Sequence, residues 1–138
     1  SPIYTRVNHL PGTKMKNIII NNSVICEGCI IDAQEISRSV IGLRSFIRQG
    51  TIIRDSVLMG NNFYLPPMQQ LGHLPAHFEI GQNCLIEKTI IDEHVFIGNN
   101  VRIVNEKGLT HYDGSGIYVR EGITIITAGA RIPDNFVF

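Results

Sequence analysis

The chain has 138 residues, with 12 Lys and Arg against 12 Asp and Glu, a formal net charge of +0 and a pI near 6.9. That balance excludes a basic nucleic-acid footprint and a polybasic membrane patch. No apolar run approaches the roughly 18 residues of a spanning helix, and the length is that of one domain with a core sufficient without staples.

Three cysteines, an odd number, suit a reducing compartment better than a disulfide scaffold, so a soluble, cytoplasmic protein is expected. Residues 1–17, "SPIYTRVNHLPGTKMKN", are aperiodic and proline-punctuated. They read as a linker segment leading into a domain over 18–138. The opening on "SPIYTR" rather than Met suggests a piece of a longer polypeptide.

From residue 25 a beat sets in. Ile25, Ile31, Ile36, Ile41, Ile47, Ile53 and Met59 follow one another at steps of six, five, five, six, six and six. A helix repeats its apolar residues every three or four positions and a half-buried strand every two, so neither fits. Six is the period of a hexapeptide β-helix, in which three short strands and three tight turns make a triangular coil of roughly 18 residues. One aliphatic per side points to the axis, and the backbone groups pair between coils.

The period lapses over residues 63–79, "FYLPPMQQLGHLPAHFE", which carry three prolines and read as a loop leaving the stack. It resumes with Ile80, Ile86, Ile91, Ile97 and Ile103. A shorter excursion, "NEKGLTHYDGSGIY", starts at Asn105, and Ile126, Ile132 and Phe138 close the series. Four residues after most of these aliphatics sits a small or β-branched residue: Cys29, Ser45, Thr51, Cys84, Val95, Val101 or Ala130. Gly42, Gly60, Gly81 and Gly98 directly follow repeat aliphatics, while Gly28, Gly50, Asn83 and Asn100 mark turns, where positive φ is cheapest. The expected fold is all-β: a hexapeptide-repeat solenoid of roughly four to five coils with one long loop.

Few side chains suggest chemistry. Cys26 and Cys29 form a CxxC, but zinc wants four ligands, or three in a catalytic site, and no second CxxC exists. Packing is the preferred reading for both. His77, His94 and His111 are 17 apart, near one coil, with His73 four before His77. Stacked histidines are one way such a fold builds a metal site. The spacing crosses the irregular segments, however, so exposed loop histidines are the plainer account.

Arg44, Arg48, Arg54, Lys88, Arg102, Arg120 and Arg131 are spread among turns and faces. Clustered across coils, some would suit a phosphorylated ligand. No phosphate loop, nucleophile elbow or paired carboxylates appears.

With the frame in place, "SPIYTR", "SVIGLRSFIRQGTIIRDSVLMG", "IIDEHVFIGNNVRIVN" and "GITIITAGARIP" resemble, in order and over nearly the whole chain, the C-terminal left-handed β-helix domain of glucose-1-phosphate adenylyltransferases. The resemblance implies a left-handed coil. It also implies a parent enzyme that makes ADP-glucose and pyrophosphate from ATP and glucose 1-phosphate, with magnesium, for glycogen or starch synthesis. Its catalytic residues belong to a separate N-terminal domain, so no catalytic residue, cofactor or metal is carried over to this chain.

The implied partners are that catalytic domain, further copies in a tetramer and a phosphorylated effector, with no nucleic acid and no membrane. Plant and cyanobacterial members place effector-binding lysines where this chain has Glu93 and Thr127, while Asp92 and the upstream Lys88 are kept. Arg44, Lys88, Asp92, Glu93 and Thr127 are therefore the candidate effector residues, with two lysines missing. The alternative reading is a stand-alone hexapeptide acyltransferase, using one His as general base, or a metal-dependent hydratase.

Overall fold

A computed structural model describes residues 14–15, 18–61 and 78–138 of the chain. The described residues form a parallel β-helix. The first coil contains β1 (Lys14–Met15), β2 (Ile19–Asn21) and β3 (Val24–Ile25), and the second β4 (Ile30–Ile31), β5 (Glu35–Ser37) and β6 (Val40–Leu43). The third has β7 (Phe46–Ile47), β8 (Ile52–Arg54) and β9 (Val57–Gly60), and the fourth β10 (Glu79–Ile80), β11 (Leu85–Glu87) and β12 (Thr89–Ile91). In the fifth, β13 (Phe96–Ile97) and β14 (Arg102–Ile103) precede a hairpin of β15 (His111–Asp113) and β16 (Ile117–Arg120), and β17 (Ile123–Ile126) completes the turn. A sixth coil begins at β18 (Arg131–Ile132).

Equivalent strands pair parallel into three faces. The first runs β1-β4-β7-β10-β13-β18, the second β2-β5-β8-β11-β14, and the third β3-β6-β9-β12-β17. Register is strict. Ile31, Ile47, Ile80, Ile97 and Ile132 stack inward on the first face, Ile36, Ile53, Ile86 and Ile103 on the second, and Ile25, Ile41, Leu58, Ile91 and Ile126 on the third. At roughly 1.5–3 kcal/mol for each fully buried aliphatic, these columns are the main stabilising contribution.

One position of the expected register is wrong. Met59 is 38% exposed, and the inward residue is Leu58, at 1%. The cause lies at the corner between the second and third faces, which the first four coils cross in five residues: Ile20 to Ile25, Ile36 to Ile41, Ile53 to Leu58 and Ile86 to Ile91. In those coils one left-handed residue turns it: Asn22, Arg38, Asp55 or Lys88, with φ from 48° to 51°.

The same corner holds a feature the six-residue beat does not reveal. Ser23, Ser39, Ser56, Thr89 and Thr124 stack inside it, each no more than 3% exposed. The amides of Ser39, Ser56 and Thr89 donate to the hydroxyls of Ser23, Ser39 and Ser56, one coil before, at 3.1–3.2 Å. Each of the first four hydroxyls donates in turn to the carbonyl two residues back. A hydroxyl can do both jobs, so this column replaces a bent stretch of sheet ladder with a side-chain ladder.

The other two corners hold the expected small residues, Cys29, Ser45 and Val95 at one and Thr51, Cys84 and Val101 at the other, all buried. Ala130 is half-buried. Gly28, Gly50, Asn83 and Asn100 take positive φ there.

Two boundaries shift. Lys14 and Met15 already pair with Ile30 and Ile31, so strand pairing starts inside the segment expected as linker. Phe78 is fully buried and Glu79 lies in β10, so the excursion expected to run to residue 79 ends before 78. The remainder of that loop and of the linker falls outside the described residues. The excursion from Asn105 is not irregular throughout. Its hairpin returns antiparallel along β17, burying Ile117 and Val119 and extending the third face past the last parallel strand. A short edge strand carrying His111 and Asp113 is a poor template for further pairing.

The register gives a direct test. By urea denaturation, Leu58→Ala is expected to cost about 2–5 kcal/mol, whereas Met59→Ala stays within about 0.5 kcal/mol. Ser56→Ala, which strands the buried Thr89 amide, is expected to cost about 1–3 kcal/mol.

Candidate functional site

The five candidate residues divide between two corners. Arg44, Asp92, Glu93 and Thr127 lie at the corner between the third and first faces, where β6, β12 and β17 end. Asp92 and Thr127 are neighbours in adjacent coils: the Asp92 amide donates to the Ile126 carbonyl at 2.9 Å, and the Gly129 amide to the Glu93 carbonyl at 2.9 Å. Asp92 Oδ1 accepts the Glu93 amide at 2.7 Å, a local turn in which Asp92 is exposed and Glu93 half-buried. The Thr127 hydroxyl donates to the Gly116 carbonyl at 3.4 Å and so faces the hairpin.

Arg44 is two coils from Asp92, roughly 10 Å at about 4.8 Å per coil. Asn61 lies in the coil between them. Its amide group donates to the Arg44 carbonyl, and its Oδ1 accepts the Phe78 amide at 3.0 Å, so one side chain pins both ends of the excursion. Lys88 is not part of this group. It sits across β12 at the opposite corner, four residues and roughly 13 Å of extended chain from Asp92. The structure thus brings four candidates to one edge and leaves the lysine on another.

The electrostatics of that edge are unfavourable to an anion. Two carboxylates stand beside Thr127, with one guanidinium two coils away. Arg131, on the adjoining first face, stacks over the Phe96 ring at 5.7 Å.

Five other arginines are paired with carboxylates elsewhere. Arg48 pairs with Glu79 at 2.9 Å, and Arg120 with Asp113 at 2.6 Å. Arg102 lies 3.8 Å from Glu106. Arg54 clamps Glu35 and Glu87 at 3.0 and 3.1 Å, linking three coils. The Arg54 guanidinium holds the Glu35 carboxyl below its ordinary range, helped by the Ser37 hydroxyl. Arg38 does the same for Asp55, and Arg120 for Asp113.

The cysteines take the packing role. Burial pushes the Cys29 thiol up to about 11, and the thiol donates weakly to the Gly42 carbonyl at 3.3 Å. Burial also raises Cys26 and Cys84, so none of the three is thiolate at neutral pH. His94 lies at the corner with Asp92, and His111 on β15 pairs through Arg120 toward Ile123 at the far end of the same face. His73 and His77 lie outside the described residues. No group of three His, Cys, Asp or Glu able to hold a metal occurs among the described residues. No helix among them is long and apolar enough to cross a membrane.

Sequence reasoning passed over Arg38 and Asp55, which with Lys88 form a charged column along the five-residue corner. The signal was present: in each of the first four coils, the five-residue step brackets one left-handed residue followed by Ser or Thr.

A family model described as the GLGC left-handed parallel beta-helix domain matches residues 8–137. The stack of parallel strands found here agrees with that description, which supplies the left hand.

The lowered carboxyls set a pH dependence. A depressed folded value contributes stability that is present above the unfolded value and lost as pH falls through the folded one. The contribution is therefore expected to hold from neutrality down to the ordinary values of 4.5 for Glu35 and 3.8 for Asp55 and Asp113, and to disappear below them. Thermal unfolding across that range checks it. The loss should be small and shrink further in salt, because these pairs are largely exposed.

Proposed function

The chain belongs to the GLGC left-handed parallel beta-helix domain family, and from that premise we propose that it is the assembly and regulatory domain of a cytoplasmic glucose-1-phosphate adenylyltransferase. Its N-terminal catalytic domain converts ATP and glucose 1-phosphate to ADP-glucose and pyrophosphate, for glycogen or starch synthesis. The observation that carries the reading is the family match across nearly the whole chain. Its chemistry is consistent: the described residues present stacked aliphatics, buried neutral thiols and paired arginines, and none of the constellations that transfer a nucleotidyl group. Magnesium and both substrates are assigned to the catalytic domain, and the β-helix holds subunits and an effector site in place.

On this reading the corner of Arg44, Asp92, Glu93 and Thr127 is where regulation differs between members. Glu93 places a carboxylate where a lysine would meet phosphate, which is repulsive rather than neutral. The domain therefore responds weakly or not at all to 3-phosphoglycerate through this edge.

Two measurements test the proposal. Full-length protein should release pyrophosphate from ATP only with glucose 1-phosphate, and the β-helix residues alone should not. Acyl-CoA turnover or bound zinc in these residues would overturn the assignment in favour of a hexapeptide acyltransferase or hydratase. In activator titrations, Glu93→Lys with Thr127→Lys is expected to strengthen the response to 3-phosphoglycerate by about tenfold or more, from two added attractions of at least ~1 kcal/mol each. Strong wild-type stimulation that a Thr127 substitution abolishes would sink the regulatory part.

A further inference from the structure

Ion pairs clad two outer faces of the prism, Arg48 with Glu79 on the first and Arg54 with Glu35 and Glu87 on the second. The third carries an aliphatic ridge instead, with Val24, Val40, Val57 and Ile90 in register and each 37–41% exposed. Beside that ridge runs a groove of about 500 Å³, where Asp55 and Glu121 stand with Lys88. Its charges are mixed and its lining holds no ring, so it favours no class of ligand.

A second recess, of about 490 Å³, is of another kind. It lies between the excursion after β14 and the last coil, lined by Leu109, Tyr112, Phe136, Val137 and Phe138. The backbone holds these walls in place. Asn105, at φ 57°, closes the loop on itself: its Nδ2 donates to the Leu109 carbonyl at 2.8 Å, and its Oδ1 accepts the Leu109 amide at 3.0 Å. The loop is tied to the last coil in turn, because the Phe138 carbonyl accepts the amides of Val104 and Glu106 at 3.2 and 3.1 Å.

Tyr112 is fixed from the other side. It pairs with Val119 across the hairpin, and its ring lies so near Gly114 that a Cβ there would stand 2.6 Å from Cε2. The Tyr112 and Phe138 rings meet at 5.4 Å, inclined by 54°. Glu106 and Lys107 add one charge of each sign to the lining. Glu106 lies 3.8 Å from Arg102, whereas Lys107 pairs with no carboxylate among the described residues.

We propose that this recess is a binding site for a small planar aromatic anion. The ring system lies among Tyr112, Phe136 and Phe138, and the carboxylate or phosphate meets Lys107. The inference stands apart from the enzymatic and regulatory readings above.

The volume falls within the roughly 300–1,000 Å³ of small-molecule sites, which are mostly apolar and aromatic with a few polar groups. Aromatic rings prefer offset-stacked or edge-to-face partners, and two rings inclined to each other offer a flat guest one of each. Arg102 offsets the Glu106 charge, so the surplus belongs to Lys107 and sets the sign of the ligand. A guest held there bridges the excursion and the last coil.

Isothermal titration of the full-length protein with 2-naphthoate, and with the neutral 2-naphthylmethanol, tests this. Naphthoate is expected to bind once per chain, about tenfold more tightly than the alcohol at low salt and by a smaller margin at high salt. Lys107→Glu should abolish that preference while leaving the alcohol within about twofold. Tyr112→Ala should weaken both probes about tenfold or more. Ile90→Ser, on the third-face ridge, should change neither. If Tyr112→Ala fails to fold by circular dichroism, Lys107→Glu, at an exposed residue, decides alone.

Absence of naphthoate binding overturns the site. Equal binding of the two probes, indifferent to Lys107→Glu, overturns the class of ligand and with it the inference. Binding lost in Ile90→Ser but kept in Tyr112→Ala moves the ligand to the third face, and that also overturns it. Pyrophosphate release reports on the enzymatic reading independently of these outcomes.

Discussion

Each side of every coil must deliver one aliphatic side chain to the prism axis while its backbone pairs with the coils before and after. That double requirement fixes the rest. A strand that slipped by one residue would turn its inward aliphatic to solvent, so the ladder and the core enforce the same register. The corners absorb what remains. Arg38, Arg44, Asp55, Lys88 and His94 adopt left-handed conformations that cost an L-residue roughly 1–2 kcal/mol, while each buried Ile contributes roughly 1.5–3 kcal/mol. The core outweighs the strain. The left hand of the coil does not conflict with the usual right-handed connection of parallel strands, because that preference comes from packing a crossover helix on the sheet, and these connections are short corners.

A core this uniform has no room for chemistry, so differences between members of such a fold must sit on outward positions, corners and interruptions. Here the three corners have separate characters. One is lined inside by a hydroxyl ladder and outside by alternating charge. Another carries the long excursion, its two ends held by Asn61. The third turns through Asn83 and Asn100 with Thr51, Cys84 and Val101 beneath. The hairpin after β14 replaces what would have been a bare parallel edge with a short antiparallel one, closed by the Arg120–Asp113 pair.

The acidic edge at Asp92 and Glu93 and the aliphatic third face adjoin each other, since both belong to β12 and its following turn. The shared strand also separates Lys88 from the acidic pair by its own length. One lysine therefore cannot serve both corners at once.

The repeat and its interruptions were legible from the chain itself, because a six-residue beat of aliphatics is a local property: Ile80, Ile86, Ile91, Ile97 and Ile103 announce the coil without any knowledge of neighbours, while the family resemblance rested on longer strings such as "SVIGLRSFIRQGTIIRDSVLMG". The choice of Leu58 over Met59 was less legible. "VLM" offers two acceptable inward residues, and only the five-residue crossing of the second corner selects between them. Ser23, Ser39, Ser56, Thr89 and Thr124 are 16, 17, 33 and 35 residues apart, so their stacking becomes visible only once the coils are superposed. The same holds for Arg54 between Glu35 and Glu87, and for Arg38, Asp55 and Lys88 at one corner. Local spacing determined that the chain would coil. Which residues meet across coils, and which of the three faces stays apolar, depended on corner lengths and excursions that shift the count, and only the stacked structure decided that.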